Sequence, residues 1–229
     1  MIGLEEAFKA VEVLQNVNEG SFDALKTCGK IKRIAKGEQL FRDKEYVPHI
    51  YILISGLAAL YKINSMGEKK VIFVFGKGKM LNEVTFEHMN SSVSCEILEE
   101  ALILYFPQNK LIDIMKEDFE LTKAIMDSTA IKVRRLYRQL KNTSNSIRGD
   151  KKIAAKLWKL SGDYGVPCKD GIQIDMELSI TYLADMLGSK RETVSRQLKL
   201  LTEKNLVIVK RNEFIITERE ELRKYFKQP

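Results

Sequence analysis

The chain has 229 residues, 45% hydrophobic and 30% charged, a balance that suits packed globular domains and excludes collagen-like, low-complexity and disordered classes. That length allows two ordinary domains, each able to bury its own core. The formal charge of +7 is uneven: residues 1–115 hold 14 Lys+Arg against 15 Asp+Glu, whereas residues 116–229 hold 24 against 16, so the second half is the part suited to a polyanion such as nucleic acid or an acidic membrane surface.

Leu4 to Thr27 is mainly helical in pattern and carries Glu5, Glu6 and Glu12 among its apolar residues, without the basic-then-apolar order of a secretory signal. From Ile31 to Phe106, short apolar runs (Tyr51-Ile52-Leu53-Ile54, Val71-Ile72-Phe73-Val74-Phe75, Leu102-Ile103-Leu104-Tyr105-Phe106) alternate with glycine or polar breaks, the pattern of a β-sandwich or barrel. Gly37, Gly56, Gly67, Gly76 and Gly78 fall at the breaks, where tolerance of positive φ makes tight turns between antiparallel strands. The longest nearly apolar stretch, Ile50 to Tyr61, is interrupted by Ser55-Gly56 and falls short of the ~20 residues that span a bilayer. A cytoplasmic location with no membrane partner is the expectation.

After Pro107 the period changes. Leu121, Ile125, Val133, Leu136 and Leu140 recur at helical spacings, with Asp118 and Glu120 early and Arg134, Arg135, Arg138 and Lys141 late, which complements a helix dipole. A helix over about 118–141 would be ~35 Å long, more than one small domain needs, so it serves either as a core helix or, better, as a seam with a second copy. Asn142-Thr143-Ser144-Asn145-Ser146 reads as a hinge. Beyond it, Ile153 to Leu160 reads as a helix and Ser161 to Gly165 as a loop. The remainder reads as a small helical domain ending in a hairpin.

Ser179 to Leu201 is the most informative stretch. Ile180, Leu183, Ala184 and Leu187 share one face of a short helix that Gly188 stops, and Ser189-Lys190-Arg191-Glu192 has the form of a capping box opening a second helix. There Val194, Leu198 and Leu201 lie on one side, so Glu192, Arg196 and Lys199 point the other way, flanked by Arg191 and Ser195. Two helices joined by a glycine turn, with Arg and Glu near the start of the second, meet the needs of a helix-turn-helix reader of the DNA major groove. Arg pairs both acceptors of a guanine edge and Glu accepts from the cytosine amino group, while Lys190 and Lys199 suit phosphate. Leu206 to Ile216 then reads as a hairpin with a basic tip, Lys210-Arg211, placed like a wing on the sugar–phosphate backbone.

The run Leu183-Ala184-Asp185-Met186-Leu187-Gly188-Ser189-Lys190-Arg191-Glu192-Thr193-Val194-Ser195-Arg196-Gln197-Leu198 resembles the DNA-binding signature of the cyclic-AMP receptor protein / fumarate-nitrate regulator (CRP/FNR) family of transcription regulators. Lys36-Gly37-Glu38-Gln39-Leu40-Phe41 and Tyr51-Ile52-Leu53-Ile54-Ser55-Gly56 resemble that family's early β-roll strands. The resemblance implies an α+β chain: a double-stranded, jelly-roll-like β-roll sensor over 1–115, a dimerisation helix over 116–142 and a winged helix-turn-helix over 143–229. It places Arg191, Glu192, Ser195 and Arg196 on base-reading positions; Lys190, Lys199 and Arg211, from the charge pattern above, are the further expected DNA contacts. The implied partners are an inverted repeat in double-stranded DNA, a second copy through the 118–141 helix, RNA polymerase and an unknown small-molecule effector.

In cyclic-nucleotide-binding members a Gly-Glu pair followed by an Arg-Ser pair clamps the ribose and cyclic phosphate; here Asn82-Glu83 and Asn90-Ser91 or Ser91-Ser92 stand there instead, and Tyr137 and Arg138 stand where cyclic-AMP binders carry Thr and Ser. With no arginine between Asn82 and Ile97 to neutralise a phosphate, cyclic AMP is not expected to bind. The candidate effector pocket is therefore Asn82, Glu83, Asn90, Ser91, Ser92, Tyr137 and Arg138. Its default occupant is a small organic molecule, with a thiol-redox signal through Cys28 or Cys95 as the alternative. Only Cys28 lies in the amino-terminal region, and His49 and His88 form no ligand pair, so neither an iron–sulfur cluster, haem nor another metal is expected and no cofactor is identified. There is no G-x-S-x-G, catalytic carboxylate pair or Walker loop, so an enzyme is not expected. The competing reading is a ligand-binding regulatory module that docks a protein partner.

Overall fold

The computed structural model describes residues 3–83, 86, 89–142 and 148–227, those at 141 and 142 without their side chains. His88 and the hinge expected over residues 143–146 lie outside the described residues. The chain divides into two compact units, Met1–Lys62 with Val71–Tyr137, and Ile63–Lys70 with Arg138–Pro229.

In the first unit α1 (Leu4–Lys9), a 3-10 turn and α2 (Glu19–Cys28) precede a five-stranded sheet of β1 (Lys30–Ile34), β2 (Gln39–Phe41), β3 (His49–Ile63), β4 (Lys69–Phe75) and β5 (Ser94–Pro107). Strand order is β1-β5-β3-β4, with β2 also on β5. Strands β3 and β5 pair antiparallel from His49 opposite Pro107 to Tyr61 opposite Ser94. Their apolar runs are continuous because both faces are covered. Ile50, Ile52 and Ile54 pack with Phe8, Leu25, Phe106 and Leu121, while the alternate residues Tyr51 and Leu53 pack with Phe41, Phe73, Phe75 and Ile97 inside the roll.

Ser55-Gly56 does not end a strand. It is a bulge inside β3, where Gly56 takes φ +85° and a Cβ would stand 2.3 Å from the Glu100 carbonyl oxygen. Gly76 adopts no positive φ, unlike Gly37, Gly67 and Gly78, so it is not a left-handed turn residue.

Helices α3 (Gln108–Glu117) and α4 (Phe119–Asn142) follow, separated by Asp118. Asp118 Oδ1 accepts from Leu121 N–H and Oδ2 from Asn18 N–H, both at 3.0 Å, and the Asn18 side chain accepts from Ser21 N–H at 2.8 Å to cap α2. One buried carboxylate thus caps α4 and ties it to the start of α2. Burial pushes the Asp118 pKa up, but the Leu121 and Asn18 donors outweigh it and hold the carboxyl below its usual value.

The second unit holds α5 (Gly149–Asp163), β6 (Gly165–Cys168), β7 (Gly171–Ile174), α6 (Ile180–Leu187), α7 (Arg191–Glu203), β8 (Val207–Lys210), β9 (Glu213–Ile216) and α8 (Arg219–Lys227). The expected hairpin is half of a four-stranded sheet, order β6-β7-β9-β8, and the unit ends in a helix rather than in that hairpin. Helix α8 is fastened to α5: the Arg219 guanidinium sits 4.4 Å from the Trp158 ring centroid, and the Tyr225 hydroxyl donates to buried Asp150, which also pairs with Arg148. Among the described residues no helix is long and apolar enough to cross a membrane.

Asp118→Ala is expected to lower unfolding stability by about 1–3 kcal/mol in urea titration at neutral pH, since two donors lose a shared acceptor. Because the folded pKa is depressed, this contribution is fully present above the ordinary carboxylate pKa and disappears as pH falls through the folded value, so variant and parent should converge in acid.

Candidate functional site

Helix α6 starts at Ser179, whose hydroxyl accepts from Tyr182 N–H at 3.0 Å, and ends at Gly188, which takes φ +60° and ψ +49°. Ser189 N–H donates to the Ala184 carbonyl at 3.1 Å, which closes the turn. That bond overturns the expected capping box. A box needs the Ser189 N–H free for Glu192, but α6 already uses it; α7 starts instead from Lys190, whose side chain makes no cap hydrogen bond.

The sidedness of α7 follows from its spacing. Val194, Leu198 and Leu201 are buried and pack the helix onto its unit, whereas Lys190, Arg191, Glu192, Ser195, Arg196 and Lys199 are exposed. Lys199 lies 3.8 Å from Glu203, but Arg191 and Arg196 form no ion pair among the described residues. Their guanidinium groups stay hydrated and available. Strands β8 and β9 pair from Val207 opposite Ile216 to Lys210 opposite Glu213. At their tip Arg211 is exposed in the left-handed region at φ +56°, and Lys210 is held 3.0 Å from Asp170 of the β6–β7 turn.

Among the described residues the candidate effector side chains are not gathered at one place. Asn82 is a structural clamp: its Oδ1 accepts from Tyr51 N–H at 2.9 Å and its amide donates to the His49 carbonyl at 2.8 Å. Ser91 is buried and donates to the Val93 carbonyl at 2.7 Å, while Asn90 and Ser92 are exposed. Glu83 is buried, but the α4 residues that meet it are Ser128 and Lys132, not Tyr137 and Arg138. The Ser128 hydroxyl donates to Glu83 Oε1 at 3.2 Å and the Lys132 ammonium donates to Oε2. Burial pulls the Lys132 pKa below the usual lysine value, with Glu83 pulling against it.

Arg138 is exposed, and Tyr137 lines a separate apolar cavity of about 660 Å³ with Phe86, Met115, Ile125, Met126 and Val133. Sequence reasoning missed Lys132, although it continues the inward α4 row of buried Leu121, buried Ile125 and half-buried Ser128 at spacings of 4, 3 and 4, where a lysine demands a partner. Burial raises the thiol pKa of both Cys28 and Cys95, which suppresses the thiolate that redox signalling would use. His49 packs edge-on to Tyr105, with ring centroids 5.3 Å apart.

Residues 31–118 match the family model of the cyclic nucleotide-binding domain and residues 151–225 that of the Crp-like helix-turn-helix domain. The chain is 25% identical over 211 residues to the anaerobic regulatory protein of Bacillus subtilis, covering 90% of this chain and 88% of that one. It is 20% identical to the CRP-like cAMP-activated global transcriptional regulator of Mycobacterium tuberculosis, covering 96% and 98%. Its fold is shared with the c-di-GMP responsive global regulator CLP of Xanthomonas campestris, with a TM-score of 0.77 and 17% identity over 88% of this chain and 100% of that one.

Gly188→Ala should destabilise the second unit by about 1 kcal/mol, read as a lower unfolding temperature, because a side chain at this left-handed position is strained.

Proposed function

The chain belongs to the CRP/FNR family of DNA-binding transcription regulators, which are not enzymes, and from that premise we propose that it acts as a homodimer reading an inverted repeat in double-stranded DNA under control of its β-roll. The observation that carries this reading is the exposed row Arg191, Glu192, Ser195 and Arg196 opposite the buried row of α7. Arg191 and Arg196 seek guanines, Glu192 accepts from cytosine and Ser195 adds a smaller contact; Lys190, Lys199 and Arg211 bind phosphates. Family membership suggests RNA polymerase as a further partner, and DNA as target suggests a cytoplasmic location.

Dimerisation through α4 is supported by what that helix leaves uncovered. Met126, Ile131, Tyr137 and Leu140 are each more than half exposed, and Val133 and Leu136 more than a third. Apolar side chains crowded on one long helix call for a covering partner, and a second α4 supplies the same surface by symmetry. Two recognition helices ~34 Å apart would then enter successive major grooves.

Arg196→Ala is expected to cost about 1–3 kcal/mol of discrimination in a mobility-shift assay against the cognate repeat while leaving non-specific affinity nearly unchanged. Affinity should fall steeply as KCl rises, from counterion release. A flat salt response would instead favour docking on a protein partner.

Leu136→Glu should shift sedimentation from dimer to monomer and weaken operator binding by about a hundredfold or more, since each monomer presents only one reading helix. A variant that remains dimeric would place the seam elsewhere.

A further inference from the structure

Asn82, Glu83 and Ser91, the buried polar side chains of the candidate effector region, are already used by the chain itself. Glu83 has a side chain 1% exposed and Lys132 one 11% exposed. The three protons of the Lys132 ammonium have three destinations: Glu83 Oε2, the Met80 carbonyl at 2.7 Å, and the face of Phe75, whose centroid is 4.6 Å away. The second carboxylate oxygen of Glu83 takes the Ser128 hydroxyl. One turn along α4, the Arg135 guanidinium lies over Phe73 at 5.6 Å, so two successive inward rings of β4 each receive a cation from α4.

A buried ion pair is a poor source of net stability, because desolvating both charges offsets most of their attraction. Its strongest effect is on geometry, since any displacement that separates the partners strands a charge away from water. Here the pair joins the segment that follows β4 to the middle of α4. An external ligand bridging Glu83 to α4 would join the same two elements.

We propose that Lys132 is the resident occupant of the effector subsite: its tethered ammonium bridges the β-roll to α4 in place of a ligand, so that α4 is set for DNA binding by the chain itself and cyclic nucleotides have no purchase on it. The DNA readout of this proposal rests on the function proposed above; the stability and nucleotide readouts do not.

The test uses the full chain, the variants Lys132→Met and Glu83→Gln, and the double variant. In thermal unfolding, Lys132→Met should lose about 5 °C or more because Glu83 is left bare, and the double variant should recover most of that loss. Additive losses would overturn the pairing. Millimolar cyclic AMP or cyclic GMP should leave the unfolding temperature and the DNA affinity of the parent unchanged, a result that needs no variant to fold. A stabilisation of about 3 °C or more by either nucleotide would overturn the occupancy. The folded double variant should bind DNA at least about tenfold more weakly than the parent at the same KCl concentration, and any smaller loss would overturn the control of α4. Should the parent itself lack salt-sensitive DNA binding, the DNA-regulator reading and with it the control of α4 fail together, while unfolding and nucleotide titration still decide the occupancy.

Discussion

Two strands of 15 and 14 residues pair along nearly their whole length, and such a ribbon must curl because a small domain cannot bury it flat. The bulge around Gly56 supplies the curl. Its outer face takes the amino-terminal helices and the start of α4, while its inner face closes over Phe41, Phe73, Phe75 and Ile97. The chain after β4 then runs back along β3, with Gly78 N–H donating to the Leu53 carbonyl and Leu81 N–H to the Tyr51 carbonyl. Asn82 completes this lacing and delivers Glu83 beneath α4. The Asp118 cap fixes α4 from the other side. The meeting of Glu83 with Lys132, 49 residues apart in sequence, is the outcome of those two constraints.

This separation explains what could and could not be read from the residues alone. The α6–α7 pair is local: a glycine at the turn and apolar residues at helical spacing settle its geometry within one stretch, and the buried Val194, Leu198 and Leu201 follow from spacing. The length of α4 is local too. Which of its residues faces Glu83 is not, because the helix is set against the roll by a bond between Asp118 and Asn18, and the α4 side chains that reach Glu83 are Ser128 and Lys132. The β6–β7 hairpin carried a local signal in Asp170-Gly171, with Gly171 at φ +138°, but its Val-Pro-Cys strand is short and contains a proline that reads as loop. The capping box failed for a different reason: the motif was present, and a neighbouring helix had already claimed its N–H.

Charge is handled in opposite ways on the two units. Lys132 is desolvated, and each proton it carries has a partner within the roll. Arg191 and Arg196 are hydrated and without an ion-pair partner among the described residues. The first arrangement resists exchange, since a replacement partner must match several contacts at once before the carboxylate is released. The second invites it. A guanidinium that leaves water for a groove regains its lost hydrogen bonds only where the base edge offers two acceptors at fork spacing, as guanine does, and elsewhere retains an unmet donor. In the proposed reading, discrimination on α7 would therefore arise from leaving these side chains unsatisfied by the protein, just as the proposed setting of α4 would arise from satisfying Lys132 completely.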